Sequence, residues 1–134
     1  MAKKLSLHNA DKWFSVYVRL RDADEDGNVT CCSCGKTQFW RDADAGHFIG
    51  RKIRATRYCE KNVNAQCRYC NRFLDGNSAG YATFLISKFG IKILEDLDLA
   101  SRGTTHWTAF EIQNMADNFK ARAIELAKQK GLQL

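Results

Sequence analysis

Two short segments, Cys31-Cys32-Ser33-Cys34 and Cys67-Arg68-Tyr69-Cys70, each carry two cysteines separated by two residues. This spacing brings two thiolates within reach of one zinc ion, and two such pairs complete a tetrahedral coordination shell. Four thiolates leave no open position, so the sequence predicts one structural Zn2+ bound by Cys31, Cys34, Cys67 and Cys70. The competing interpretation, two redox dithiols, requires that the motif occur twice by coincidence.

Two further cysteines do not fit this pattern. Cys32 lies inside the first segment but lacks the two-residue gap to Cys34, and Cys59 has no partner at metal-binding spacing. For Cys59 we expect a buried free thiol. The sequence leaves the roles of both residues open.

The basic residues are concentrated in the part of the chain that contains the cysteine pairs. Residues 31–74 contain nine Lys and Arg against three Asp and Glu, whereas the two signs balance in residues 1–30 and 75–134. The whole net charge of +6 therefore lies beside the predicted zinc site. This distribution is typical of a surface that binds a polyanion, and we favour nucleic acid over a solvated basic loop.

The location of the protein follows from what the sequence lacks. The chain begins Met-Ala-Lys-Lys-Leu without an apolar signal segment, and no apolar run approaches the length of a membrane span. Six cysteines in a reducing compartment are more readily metal ligands than disulfides. We therefore expect a cytoplasmic protein with no membrane partner.

Apolar spacing and turn residues predict an α+β fold in a single domain, residues 1–134. A loose arm of residues 1–8 precedes a helix over 10–21, with Asn9 as its N-cap. The apolar face of this helix comprises Trp13, Val16, Tyr17 and Leu20.

The central core, residues 29–74, is predicted to contain short strands around the cysteine pairs. Strands are expected at residues 29–31, 37–40 and 45–49, and residues 63–66 lead to the second pair. A helix is expected to begin near Cys70.

Residues 78–131 are predicted to be helical. Helices are expected over 79–89, with Gly90 after the last turn, and over 91–97. A final helix begins at a capping box formed by Thr108 and Glu111 and ends at Gly131. Its apolar stripe is a candidate dimer interface and comprises Ile112, Met115, Ala116, Phe119, Ala123, Leu126 and Ala127.

Four further motifs lie between and just after the cysteine pairs. They are Asp44-Ala45-Gly46-His47, Arg57-Tyr58-Cys59-Glu60-Lys61-Asn62, Gln66-Cys67-Arg68-Tyr69-Cys70-Asn71 and Asp75-Gly76-Asn77. Their order resembles that of the NinG (Rap) recombination nucleases of lambdoid phages, over about residues 13–128. More broadly, the pattern is similar to the HNH, or His-Me finger, endonucleases.

The resemblance implies a zinc-stapled ββα-metal core with flanking N- and C-terminal helices. It also implies a divalent-metal-dependent hydrolase that cuts branched DNA, such as D-loops and Holliday junctions, during phage recombination in the bacterial host. By position, His47 matches the general base, and Asn62 matches the residue that braces the loop and orients the imidazole. Asn71 takes the place of the final histidine and is the expected ligand of a catalytic Mg2+ or Mn2+.

The second ligand of the catalytic ion is left open by the sequence. Many HNH sites have Asp immediately before the catalytic histidine, but this position is Gly46 here. Side chains alternate along a strand, so Asp44 shares the side of Gly46, and a bulge or bend can bring it into reach. We predict Asp44 as the second ligand, with Glu60 and then Asp42 as alternatives.

Basic residues of the core are the predicted contacts to phosphates of branched or double-stranded DNA. Such contacts position DNA without reading its sequence. The candidates are Arg51, Lys52, Arg54, Arg57, Arg68 and Arg72.

The alternative function is a non-catalytic, zinc-containing DNA-binding module that recruits recombination proteins. A homodimer is expected if the protein resolves symmetric junctions, because two cuts need two sites. The oligomeric state, the preferred DNA structure, the cut position and the preferred metal are not readable from the sequence.

Overall fold

The structure is a computed structural model that describes residues 5–134, and it confirms the predicted α+β class. The first half of the predicted N-terminal arm, residues 1–4, lies outside the described residues. The helices are α1 (His8–Asp22), α2 (Arg54–Arg57), α3 (Ser78–Phe89), α4 (Ile93–Ser101) and α5 (Ala109–Lys130). The strands are β1 (Asn28–Thr30), β2 (Thr37–Phe39), β3 (Asp44–His47) and β4 (Val63–Gln66).

The four strands form two separate antiparallel pairs. β1 pairs with β2, and this hairpin carries the first cysteine segment in its turn, where Gly35 has a φ of +81°. β3 pairs with β4, with Asp44 opposite Gln66 and His47 opposite Val63. The second cysteine segment directly follows β4, and the N–H of Cys32 donates to the Ala65 carbonyl on β4, which brings the two pairs together.

Helix α1 packs between α5 on one side and the β3–β4 pair on the other. This explains why Phe14 and Val18, outside the predicted apolar face, are fully buried together with Tyr17 and Leu20. The apolar stripe of α5 covers α1 of the same chain, with Phe119, Ala123 and Ala127 in the shared core. The stripe is therefore occupied within the chain, and it is not available as the predicted dimer interface.

A second apolar cluster lies beneath α3 and α4. Tyr81 and Leu85 from α3 pack against Ile93 and Leu97 from α4, together with Cys32. α3 approaches the first cysteine segment so closely that a Cβ on Gly80 would lie 2.1 Å from the carbonyl oxygen of Ser33. Cys32 is thus a packing residue at the contact between α3 and this segment.

Most predicted helix boundaries agree with the structure to within two residues, and the capping box of Thr108 and Glu111 and the end of α5 at Gly131 are confirmed. The predicted N-cap of α1, Asn9, was wrong. Asn9 lies inside its first turn, and the N–H of His8 donates to Ser6 Oγ. Residue 91 lies before α4, which extends to Ser101 rather than ending at residue 97.

Two predictions in the core also need correction. The strand expected over 45–49 ends at His47, because the backbone of Ile49 bonds to the side chain of Asn62 instead of continuing the ladder. The helix expected near Cys70 is a single π-helical turn, Tyr69–Phe73. It cannot continue, because Asp75, Gly76 and Asn77 all have positive φ angles, of 50°, 90° and 40°.

Candidate metal centre and active site

The four predicted zinc ligands converge. The sulfur atoms of Cys31, Cys34, Cys67 and Cys70 all lie within 4.8 Å of one another, and the Cys34 and Cys67 sulfurs are 3.8 Å apart. Zinc–sulfur bonds of about 2.3 Å give tetrahedral sulfur–sulfur edges of about 3.8 Å, so the cluster matches the size of a zinc site. We call these four residues the thiolate cluster.

Backbone N–H groups point at two sulfur atoms of the thiolate cluster. The N–H of Ser33 points at Cys31 Sγ and the N–H of Cys70 at Cys67 Sγ, each at 3.4 Å. Burial raises the pKa of Cys31, but backbone N–H donors outweigh it and lower that pKa to about 7. Burial raises the pKa of Cys67 and that of Cys70, so Cys31 is the member of these three whose surroundings favour the thiolate without a metal. Deprotonated cysteine is the metal-binding form. The cluster therefore fits a structural zinc ion.

Beside the thiolate cluster, an open cavity of about 610 Å³ is lined by the predicted base, His47, and by the two predicted ligands of the catalytic ion, but not by Asn62. β3 contributes Asp44 and His47, and the π-helical turn contributes Asn71. The turn is fixed by Cys70, the residue before Asn71. The position of Asn71 against β3 thus depends on the thiolate cluster.

The orientation of His47 defines its tautomer. Its Nε2 lies 2.9 Å from the backbone carbonyl oxygen of Arg57. A carbonyl oxygen only accepts, so Nε2 carries the hydrogen, and Nδ1 of the neutral ring is the proton acceptor. Burial lowers the pKa of His47, and the nearby charges of Arg51 and Arg57 lower it further. A neutral imidazole at pH 7 follows, which is the form a general base requires.

Asp44 and Asn71 are in direct contact. The Asn71 side-chain nitrogen donates to Asp44 Oδ2 at 2.9 Å, and the Arg72 guanidinium donates to both Asp44 oxygens at 2.9 Å. Burial would raise the pKa of Asp44, but these hydrogen bonds and the charge of Arg72 lower it. Asp44 is therefore an ionised carboxylate, and carboxylate and carboxamide oxygens are the kinds of donor that Mg2+ and Mn2+ prefer.

Gly46 explains why the carboxylate is not adjacent to His47. A Cβ at position 46 would lie 1.9 Å from Gln66 Oε1 and 2.9 Å from Gln66 Cβ, so no side chain fits there. Gln66 itself is held by bonds from its nitrogen to the Gly76 carbonyl and to Ser33 Oγ. Asp44 instead supplies the carboxylate from the start of the strand, and β3 needs no bulge to place it in the cavity.

Asn62 braces the loop after β3 and does not contact the imidazole directly. It is fully buried, and its oxygen accepts from the N–H of Ile49 while its nitrogen donates to the carbonyls of Ile49 and Thr56. These bonds fix both ends of the segment that leads to Arg57. Any effect of Asn62 on His47 is therefore indirect, through the position of the Arg57 carbonyl.

Sequence reasoning missed Asp11, which lines the cavity from α1. Its carboxylate accepts from the Arg57 guanidinium at two atoms and from the Tyr58 hydroxyl at 2.7 Å. Asp11 thereby anchors the residue whose carbonyl holds His47. The only signal was its helical position two residues before Trp13, which does not identify a partner 46 residues away.

The two alternative metal ligands lie elsewhere. Glu60 accepts from the Tyr17 hydroxyl at 2.6 Å and pairs with Arg122, so its carboxylate serves contacts between α1, α5 and the loop before β4. Asp42 is exposed in the short turn before β3 and is not among the residues that line the cavity. Of the three candidates, Asp44 is the one that shares a cavity with Asn71. Cys59 is half-buried rather than fully buried and packs against the cluster of α3 and α4.

The residues predicted to contact phosphates differ in how exposed their side chains are and in how many of their donors are already bonded. Arg51, Lys52 and Arg54 are exposed, and the side chain of Arg54 lies over the Trp107 ring. Arg68 and Arg72 are half exposed beside Asp44. Arg57 is 16% exposed, and three of its donors are committed to Asp11 and to the Arg51 carbonyl. Its role in the structure is to hold the loop.

Across residues 5–134, no helix is both long and apolar enough to cross a membrane.

Comparison with known proteins assigns the chain to a family. A family model described as "Bacteriophage Lambda NinG protein" matches residues 2–129. The NinG proteins of Salmonella phage P22 and Escherichia phage lambda are 28% and 27% identical, over 92% and 96% of this chain. The chain spans 62% and 64% of their lengths, just under two thirds. No solved structure gives a significant match. With almost its whole length covered by the family model, the chain belongs to the bacteriophage lambda NinG family.

Proposed function

We propose that this protein is a divalent-metal-dependent endonuclease of the HNH, or His-Me finger, type that hydrolyses phosphodiester bonds in branched DNA. The observation that carries the proposal is one cavity shared by His47, Asp44 and Asn71. A proton acceptor and a carboxylate from β3, and a carboxamide from the π-helical turn, line the same cavity. This is the minimal equipment for metal-assisted hydrolysis of a phosphodiester.

Within this proposal, each residue has one task. His47 Nδ1 accepts a proton from the attacking water, while its Nε2–H bond to the Arg57 carbonyl holds the ring and favours the imidazolium that forms. Asp44 and Asn71 would hold Mg2+ or Mn2+, whose chemistry is to stabilise the negative charge that develops on the phosphate. Water adds to phosphorus, one P–O ester bond breaks, and the leaving oxygen takes a proton from solvent.

Arg72 forms an ion pair with Asp44, one of the two proposed metal ligands. Its guanidinium now neutralises Asp44, and its side chain is 57% exposed at the mouth of the cavity. A cation at Asp44 would compete with Arg72 for the carboxylate, which frees the guanidinium to contact a phosphate. DNA binding and metal binding are then coupled through one arginine.

Branched DNA as the substrate, phage recombination as the process and the cytoplasm of the bacterial host as the location come from the family resemblance. The exposed basic residues Arg51, Lys52 and Arg54 support a DNA partner, since Arg51 lines the cavity and the other two follow it directly in the chain. They are equally compatible with a binding module that recruits recombination proteins. Catalysis has to be tested directly.

The test is cleavage of a four-way junction and of a linear duplex of equal length, in Mg2+, in Mn2+ and in EDTA. We expect metal-dependent cleavage of the junction, and a loss of about 100-fold or more in His47→Ala, the usual share of a general base. His106→Ala is the matched control, because His106 is an exposed histidine outside the cavity.

The outcomes separate three functions. Junction binding without cleavage in any metal would identify a binding module. Equal cleavage of duplex and junction would identify a nicking nuclease without structure preference. Unchanged cleavage by His47→Ala, with normal zinc content, would remove His47 as the base.

A further inference from the structure

The π-helical turn that carries Asn71 also presents two exposed aromatic rings. Tyr69 is 60% exposed and Phe73 is 77% exposed. Their rings stack on each other at a centroid distance of 6.0 Å and an interplanar angle of 26°. We call Tyr69 and Phe73 the aromatic pair. Two large exposed rings in contact form a small apolar patch on the surface, and such patches can mark ligand-binding sites.

The backbone holds the aromatic pair rigidly. The N–H of Leu74 bonds to the Tyr69 carbonyl, which closes the π-helical turn, and Cys67 and Cys70 fix the start of that turn in the thiolate cluster. Single π-helical turns occur frequently at functional sites. The pair is therefore preorganised by the zinc site, and binding would require little ordering of these side chains.

Positive charge lies between the aromatic pair and the candidate active site. Arg68 and Arg72 immediately precede Tyr69 and Phe73 in sequence, and both guanidinium groups approach the Asp44 carboxylate, at 3.9 and 2.9 Å. Their side chains are 50% and 57% exposed. The surface thus alternates aromatic faces with arginines over a short distance from Asp44 and Asn71.

We propose that the aromatic pair stacks on unstacked nucleobases of the DNA, next to the phosphate that the active site receives. Aromatic faces interleaved with arginines bind nucleic acid by stacking on bases and by pairing with phosphates. An intact duplex keeps its base faces inside the helix and offers the pair nothing to stack on. Bases are unstacked at a branch point, so the pair gives a preference for branched over linear DNA.

This inference rests on the proposed nuclease function but is tested by binding, without cleavage. Fluorescence anisotropy in EDTA measures the affinity for a labelled four-way junction and for a linear duplex of the same length and composition. Stacking on one base contributes about 5- to 150-fold in affinity. We therefore expect Phe73→Ala and Tyr69→Ala each to weaken junction binding at least fivefold and to leave duplex binding unchanged.

Three further variants sharpen the test. Phe73→Trp keeps an aromatic face and should retain junction binding, whereas Phe73→Leu keeps apolar area without that face and should lose it. Phe110→Ala is the control, because Phe110 is similarly exposed, at 74%, but lies on α5 rather than on the π-helical turn. Zinc content and circular dichroism confirm that each variant is folded.

Several results would overturn the inference. The first is equal affinity of the wild-type protein for junction and duplex. The second is unchanged junction affinity in the alanine variants. The third is junction affinity in Phe73→Leu equal to that of the wild type. Equal losses on both DNAs would make the pair a general DNA contact. A change in mass by light scattering in Phe73→Ala would make it a self-association surface. Metal-dependent cleavage by wild type would leave the proposed nuclease function standing in each case.

Discussion

The thiolate cluster and the cavity beside it are built from neighbouring segments but are held together in different ways. The four sulfurs of the cluster come from two local motifs, and a backbone hydrogen bond from Cys32 to Ala65 on β4 ties the first motif next to the second. In the cavity, the Arg57 carbonyl orients His47, Asp11 of α1 anchors Arg57, and Asn71 and Arg72 hold the Asp44 carboxylate. We therefore expect the cluster to determine whether the core folds, and the hydrogen-bond network to determine whether the cavity is correctly arranged.

The largest expected effect is on the cluster. Cys67→Ser should lose bound zinc and the folded core, because structural zinc contributes on the order of 10 kcal/mol to folding in small domains. Circular dichroism with a zinc assay measures both. Cys59→Ser is the control, since Cys59 is a half-buried cysteine outside the cluster, and it should keep zinc and fold. Stoichiometric zinc and an unchanged melting temperature in Cys67→Ser would contradict a structural role for the cluster.

A smaller effect should separate the two asparagines. Asn62→Ala removes three hydrogen bonds between a buried side chain and the loop, and it leaves the loop's backbone groups at Ile49 and Thr56 without these partners. The substitution should therefore lower the free energy of unfolding by about 2–4 kcal/mol. Asn71→Ala removes one bond at the edge of the cavity and should cost about 1 kcal/mol or less. Urea denaturation in excess zinc measures the difference. Equal destabilisation would mean that Asn71 is also a structural residue.

The two regions also differ in how far the sequence predicts them. The spacing of the cysteines, the capping box at Thr108 and the end of α5 are local signals, and each was confirmed. The predicted apolar face of α1 was incomplete. Phe14 and Val18 are also buried, because α1 packs against two layers, and helical periodicity does not reveal the second one. Local chemistry fixes these elements, and their partners depend on tertiary packing.

The candidate site depends on packing to a greater extent. Arg57 was predicted as a phosphate contact from its charge, but its guanidinium is bound to Asp11 from α1. The sequence alone does not show which of several neighbouring basic residues is exposed and which is buried in an ion pair. The sequence also does not show that position 46 lacks room for a side chain, because the side chain that fills this space, Gln66, comes from the paired strand.

The smallest expected effect concerns Asp11, which connects α1 to the cavity. Asp11→Asn removes the charge that anchors Arg57, so the carbonyl that orients His47 becomes less well fixed. If the proposed cleavage holds, we expect its rate at the high-pH plateau to fall about tenfold, equivalent to about 1.4 kcal/mol. Asp98→Asn is the control, because Asp98 also pairs with an arginine but lies on an exposed face of α4.

The pH dependence of cleavage distinguishes this positioning role from simple destabilisation. His47 acts as a base only when it is neutral, so activity should be lost as the pH falls through its pKa, which lies below the ordinary histidine value of about 6.5. The charge of Asp11 raises the pKa of His47, and its removal should therefore move the midpoint to lower pH. A destabilised but otherwise normal site would keep the wild-type midpoint. A midpoint that stays fixed or rises in Asp11→Asn would show that Asp11 does not act through His47.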